Sequence, residues 1–282
     1  MVNIRDLDPS ASPLDYYGSE LRRLREAAGL KQGQLGDIVF CTGSLIGQVE
    51  TARKVPTRDF SERIDAALGT GGTFSRLLGL VLRSQLPHWF QPYAEMEARA
   101  TYISTFQTQV VYGLLQTREY ARALLSIGHP GKLDEMVAAR MERQRILDPH
   151  HPPVICVVLD EALLHREVGS SEIMRKQLGR LLASRDEKWL QLQVLPFSVG
   201  QHPGMIGAFN LLRFDDDPDL FYAETYDAPY MTANPQLIRD RSVGYARLQA
   251  EALSPRESAT LIARVMEERY GHEPGSDGRA MA

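Results

Sequence analysis

The chain has 282 residues, 43% hydrophobic and 24% charged, with a formal net charge of -4; this is ordinary for a folded protein and excludes both a low-complexity chain and a strongly basic nucleic-acid packaging protein. At about 150 residues per domain, the length predicts two domains. Two cysteines, Cys41 and Cys156, are too few for a disulfide framework or a cysteine metal site, and there is neither a run of about 18 apolar residues for a membrane span nor an apolar core for a signal peptide, so a cytoplasmic protein is expected.

Residues 1–14 contain Pro9-Ser10-Ala11-Ser12-Pro13 and read as a disordered arm, with Arg5 as a candidate for a minor groove. Over 16–28, apolar Tyr17, Leu21, Leu24 and Ala28 recur at helical spacing, and Gly29 stops the helix. Residues 30–56 then hold two short helices. Leu35 and Val39 lie four apart on the first, and Ile46 and Val49 three apart on the second, so both bury apolar stripes against a common core. Thr42 is placed to cap the second. Beyond Pro56, Thr57 caps a helix carrying Phe60, Ile64 and Leu68, which ends at Gly69-Thr70-Gly71-Gly72; Thr73 starts another with Phe74, Leu77, Leu78, Val81 and Leu82. The expectation is an all-α, five-helix domain over residues 15–85.

Ser44 and Gln48 are four apart on the outward face of the second short helix, beside Gly43 and Gly47. A helix presenting that face fits a major groove about 12 Å wide. Gln48 is the base reader in this view, because its amide can pair with the N6 and N7 edge of adenine, and Ser44 adds a weaker contact. Arg53, Lys54 and Arg58 come next as candidate phosphate contacts or as a solvated basic face. Residues 1–85 hold 11 basic against 10 acidic side chains and the remainder 21 against 26, so affinity for DNA would rest on a few phosphate contacts and on dimerisation. A plain helical hairpin inside a larger core has the same periodicity.

The pattern Leu30-x-Gln32-x-x-Leu35-Gly36, followed by Ser44-x-Ile46-x-x-Val49-Glu50-x-x-Arg53-x-x-Pro56, resembles the phage-repressor-like, xenobiotic-response-element (XRE) type of bacterial helix-turn-helix regulator. The resemblance implies a lambda-repressor-like domain in which Gln32 opens the first motif helix and contacts DNA, with Thr42 also at the backbone. It further implies that Gly43, Ser44 and Gln48 face the groove, and that Glu50 pairs with Arg25 to lock the recognition helix to the first helix. Two departures stand out: Phe40 occupies a turn position where Gly is usual, and Gly43 and Gly47 stand where longer readers are common.

Gln85-Leu86-Pro87-His88 marks a boundary, and residues 86–270 are expected to form an α+β domain with a small sheet flanked by helices. Helices are expected over 89–99, 116–127, 133–147, 171–184, 235–252 and 255–270, the last opened by a Ser254/Glu257 capping box, with a helical turn over 160–166. His150-His151-Pro152-Pro153 breaks the chain before Val154-Ile155-Cys156-Val157-Val158-Leu159, whose continuous apolar run predicts a strand buried on both faces. Other strands are expected over 101–106, 190–197, 208–214 and 220–226, with Asp215-Asp216-Asp217-Pro218 as a hairpin turn. Residues 271–282 read as a disordered tail.

Tyr112-Gly113-Leu114-Leu115-Gln116-Thr117-Arg118-Glu119-Tyr120-Ala121-Arg122, Arg140-x-x-Arg143-Gln144, Val158-Leu159-Asp160-Glu161, Gln193-Val194-Leu195-Pro196-Phe197 and His202-Pro203-Gly204 resemble the large C-terminal domain of unknown function that is fused to this helix-turn-helix type in many bacterial regulators. Tyr112 replaces a usual Pro. The resemblance implies transcriptional control, with the second domain as a sensor, a dimerisation unit or a docking surface for a small partner protein.

A candidate effector pocket gathers Gln116, Tyr120, Arg140, Arg143 and His202, since a concave site needs a few convergent polar groups. The alternative is that the arginines make structural salt bridges and Tyr120 is core. Asp160, Glu161, His165, Glu167, His202 and Asp215 to Asp217 supply carboxylates and imidazoles, but no second His stands at metal spacing, and neither a nucleophile elbow nor a phosphate loop occurs. No catalytic residue, metal or cofactor is therefore assigned. The expected protein is a non-enzymatic, homodimeric regulator that binds double-stranded DNA and answers to a small-molecule effector or small protein partner. It would be cytoplasmic, associated with the nucleoid when DNA-bound, and off the membrane. Antitoxin-like sequestration of a partner and a cryptic enzyme are the alternatives.

Overall fold

Ser12 sets the first helix: its hydroxyl accepts a hydrogen bond from Asp15 N at 3.1 Å, and Pro13 comes next, where a missing N–H costs nothing. In the computed structural model, which describes residues 7–128, 130–147, 152–225 and 228–271, α1 therefore runs Pro13–Ala27. Part of the expected arm is thus a lead-in turn, in which Asp8 Oδ1 accepts from Ser10 N at 2.9 Å and Ser10 Oγ at 2.6 Å. Residues 1–6, with Arg5, lie outside the described residues.

The chain divides into two units, Met1–Pro87 and His88–Ala282. In the first, α1 is succeeded by α2 (Gln32–Ile38), α3 (Gly43–Glu50), α4 (Arg58–Leu68) and α5 (Thr73–Ser84). Tyr17, Leu21, Leu35, Ile46, Val49, Ile64, Phe74 and Leu78 are fully buried. The Tyr17 ring meets Phe74 edge-on at 5.0 Å, and its hydroxyl lies 2.9 Å from Ser61 Oγ, so the aromatic body is buried with its polar tip satisfied. Ala28, expected on the inner stripe, is instead the exposed C-cap of α1.

The second unit runs α6 (Gln91–Glu97), β1 (Tyr102–Gln107), α7 (Arg118–Leu125), α8 (Leu133–Arg143), β2 (Val154–Asp160), α9 (Ala162–His165), α10 (Ser171–Ala183), β3 (Leu190–Leu195), β4 (Phe209–Arg213), β5 (Leu220–Ala223), β6 (Tyr230–Thr232), α11 (Pro235–Glu251) and α12 (Pro255–Tyr270). These strands form a six-stranded mixed sheet in the order β3-β2-β1-β4-β5-β6, larger than the small sheet expected. The additional strand, β6, has only three residues, too few for alternation to register. β1, β2 and β3 are parallel and joined through helices, whereas β4, β5 and β6 pair antiparallel. Residues Ile155 to Leu159 of β2 are all buried, as an apolar run between two parallel neighbours requires.

On one sheet face, Ile238, Tyr245 and Leu248 of α11 pack on Phe106, Cys156, Val158, Leu195, Leu211 and Phe221. The β3 edge is closed by side chain and loop: Val194 N donates to Ser258 Oγ at 2.9 Å and Leu253 N donates to Val194 O at 2.9 Å. The expected helix over 116–127 begins only at Arg118, because residues Gly113–Leu115 form a tighter 3-10 turn and Thr117 caps α7 itself. The expected strand 220–226 stops at Ala223; Tyr226, the His150-His151 part of the break and residues 272–282 of the tail lie outside the described residues. No helix among the described residues is long and apolar enough to cross a membrane.

Candidate nucleic-acid interface and a cleft in the second unit

Close approach of α2 and α3 depends on glycine. A Cβ on Gly43 would stand 2.9 Å from Gly33 Cα, and one on Gly36 would stand 2.7 Å from Cys41 O. The intervening turn passes through Phe40 at φ 55°, in the left-handed region that Gly adopts most easily, with its ring 86% exposed. Cys41 N donates to Gly36 O at 2.8 Å to close the turn, and Thr42 Oγ1 accepts from Leu45 N at 3.2 Å to start α3.

Glu50, at the end of α3, is fully buried. It accepts from Arg25 Nε at 2.5 Å and Arg25 Nη2 at 3.1 Å, and Arg25 Nη1 donates to Leu30 O at 2.7 Å. Hydrogen bonding to Glu50 raises the guanidinium pKa despite burial. Gln32 Nε2 donates to Glu50 Oε2 at 2.7 Å, so one carboxylate ties α1, α2 and α3 together. Arg63, which no sequence pattern marks, donates from Nη1 to Val39 O at 3.2 Å and closes the C-terminal end of α2.

Ser44 and Gln48 are exposed on α3, and Thr42 before it and Arg53 and Lys54 after it are exposed too; Arg58 is half-buried. Two further candidates also make contacts within the unit. Gly43 turns its Cβ position toward Gly33 rather than outward, and the Gln32 amide nitrogen is already engaged by Glu50. Gly43 thus lets α2 and α3 approach, and Gln32 also braces Glu50.

In the second unit, Gln116, Arg140 and Arg143 line one cleft of about 480 Å³ together with Phe90, Tyr93, Asn210 and Tyr222. The other two pocket candidates are elsewhere. Tyr120 is fully buried, its hydroxyl accepting from Val111 N at 3.3 Å. His202 lies edge-on to Phe106, with Nε2 3.6 Å from Asp160 Oδ2. Tyr120 is core and His202 is half-buried against Phe106, which residue type alone does not reveal.

One arginine of the cleft is neutralised and the other is not. Arg143 Nε stands 2.6 Å from Glu97 Oε2, and the fully buried Glu97 also accepts from Tyr112 OH at 2.6 Å and Tyr93 OH at 2.9 Å. Sequence does not mark Glu97, because a Glu at the end of a short helix reads as a surface residue. Arg140 donates from Nη1 to the neutral Gln116 Oε1 at 2.9 Å. Burial and the like charge of Arg143 push its pKa down to about 10, against the pull of Glu224 and Glu97. The salt-bridge alternative thus describes Arg143 and not Arg140.

His165 Nε2 lies 3.5 Å from Glu161 Oε1, and Glu161 Oε2 accepts from Phe197 N at 2.8 Å. Each imidazole therefore faces one carboxylate. Among the described residues no group of three or more His, Cys, Asp or Glu is placed to hold a metal ion.

A family model described as a helix-turn-helix domain matches residues 17–77, the stretch from α1 into α5. A second, described as a domain of unknown function (DUF5753), matches residues 90–264. No curated protein and no solved structure matches the chain. The second match spans well over half of the sequence, and the chain belongs to the DUF5753 family, with a helix-turn-helix domain ahead of it.

Proposed function

We propose that this protein is a sequence-specific transcriptional regulator of the XRE type that acts as a homodimer, reads double-stranded DNA with α3 and is controlled through its second unit by a small effector or small protein partner. The observation that carries the reading is the exposed pair Ser44 and Gln48 on a helix whose other face is locked to α1 and α2 through Glu50. A rigid helix with a short polar face is what groove readout needs. Gln48 reads a base edge, Ser44 adds a contact, and Thr42, Arg53, Lys54 and Arg58 hold the phosphates. On this reading the protein is a regulator and not an enzyme.

Genome-wide occupancy of the intact protein, with mass spectrometry of what co-purifies, tests this reading. Sharp peaks over a two-fold symmetric site support it. Diffuse occupancy with a stoichiometric small protein would replace it with partner sequestration.

A further inference from the structure

The cleft of the second unit lies at the carboxyl end of β1, where the topology reverses. From β1 the chain crosses to β2 and then β3 on one side, and β4 returns on the other side of β1. Residue Gln107 at the end of β1, the start of β4 at Phe209 and the end of β5 at Ala223 all line it. In open sheets with helical crossovers, the crevice outside the strand ends at such a reversal is where ligands bind.

The floor is polar where a sheet face is ordinarily apolar. Thr105, Asn210 and Tyr222 are cross-strand partners on β1, β4 and β5. Asn210 Oδ1 accepts from Thr105 Oγ1 at 2.5 Å and Gln107 Nε2 at 3.2 Å, which commits the carbonyl and leaves the amide nitrogen as a donor at the cleft. Leu124, Ile206 and Phe209 give the lining its accessible apolar surface, while Tyr93 stacks on Tyr222 at 3.9 Å and Phe90 meets Tyr222 edge-on at 6.2 Å, a buried aromatic layer beneath the cleft. Above them stands Arg140, whose hydrogen bond goes to Gln116. Gln116 is fixed in turn, donating from Nε2 to Val111 O at 2.7 Å and accepting through its backbone oxygen from Gln144 at 2.8 Å. A partly buried guanidinium held by a rigid neutral amide is a costly arrangement for stability alone and a suitable one for capturing an anion.

We infer that this cleft binds a small organic acid, its carboxylate on Arg140 and Asn210 and its apolar or aromatic body against Leu124, Ile206 and Phe209. A volume of about 480 Å³ accommodates such a molecule. Arg143 cannot serve as the anchor because Glu97 already holds it. Glu224, exposed where the cleft opens, sets the sign of the local field against a second negative charge, so the site selects monoanions. Binding itself stands on the cleft; only the role of the acid as an effector rests on the proposed regulatory function.

The test uses the full chain and three probes, benzoate, phenylacetate and octanoate, with affinity read by calorimetric titration and thermal shift. Saturable binding of at least one probe is expected, weakened tenfold or more in Arg140→Gln. The ligand-free melting temperature of Arg140→Gln is expected to be unchanged or higher, because a buried charge with a neutral partner is removed. Glu224→Gln, at an exposed position, should tighten binding about two- to fivefold at low salt. No saturable binding by the wild type, equal binding by Arg140→Gln, a collapse of ligand-free stability in that variant or an unchanged affinity in Glu224→Gln each overturns the assignment. Measured alongside, operator affinity separates the two ideas: a probe that binds through Arg140 without altering DNA affinity leaves the site standing and removes its effector role.

Discussion

Gln48 and Glu50 stand two residues apart on α3, one exposed and one buried. The Gln48 side chain is exposed, so Gln48→Ala should leave unfolding unchanged. It should also cost about 1–3 kcal/mol of discrimination at one base position in each half-site. Competition binding with single-position variants of the selected operator checks this; a uniform loss across all variants would mean that Gln48 only positions the helix. Glu50 is fully buried against Arg25. Glu50→Ala strands a guanidinium in the interior and should destabilise the first unit by about 3–5 kcal/mol. The paired change Arg25→Met with Glu50→Leu should recover much of that loss, which denaturant unfolding of the full chain can show, while Glu50→Ala alone should not. Neither the Glu97 cluster nor the bond from Gln32 to Glu50 is legible in the sequence, because each joins residues on different elements through burial that no local pattern records.

At the scale of elements, the helix starts divide into those with local chemistry and those without. Thr42, Thr57, Thr117, Ser170 and Ser254 each cap the helix directly after them, and such starts can be read from sequence. Helix α5 differs. Its N-cap, Gly72, has no side chain, and the cap comes from α4, where Asp65 accepts from Phe74 N and Ser75 N, both at 2.9 Å. Burial raises the Asp65 pKa, but the hydrogen bonds from Thr70, Ser75 and the two backbone amides outweigh it, and the carboxyl titrates below its ordinary 3.8. A depressed folded value gives stability that is present above the unfolded pKa and is lost as pH falls through the folded one. Asp65→Asn should therefore cost about 1–3 kcal/mol at neutral pH, with the gap from wild type narrowing below about pH 4. A gap independent of pH would show that the ionised carboxylate is not what caps α5. The glycines give a second contrast. Gly43→Ala drives a methyl into the Gly33 backbone at 2.9 Å, whereas a Cβ on Gly33 meets nothing within 4 Å. The first change should destabilise by about 1–3 kcal/mol and the second should stabilise by about 0.5–1 kcal/mol through helix propensity; thermal or denaturant unfolding of the two variants checks both signs. Sequence periodicity does not distinguish the two, since the difference lies only in which way each Cβ position points.

For the whole molecule, charge decides how DNA can be held. Residues 1–85 hold 11 basic against 10 acidic side chains, so the proposed DNA contact rests on few charges, and the cations it assigns to phosphates are Arg53, Lys54 and Arg58. Each phosphate neutralised contributes about -0.9 to the slope of log affinity against log salt concentration. One copy should therefore show a slope of roughly -3 and a dimer on two half-sites roughly -5. Lys54→Ala, at an exposed position, removes one contact per copy and should reduce the dimer slope by about two, against about one for a monomer. Spacing gives the independent check, because two recognition helices in a dimer meet half-sites separated by about 34–36 Å. Inserting half a helical turn between the half-sites should abolish dimeric binding by placing them on opposite faces of the duplex. A slope near -3 that is indifferent to the insertion would assign binding to one copy, and control through the second unit would then have to act on a single α3 rather than on the distance between two.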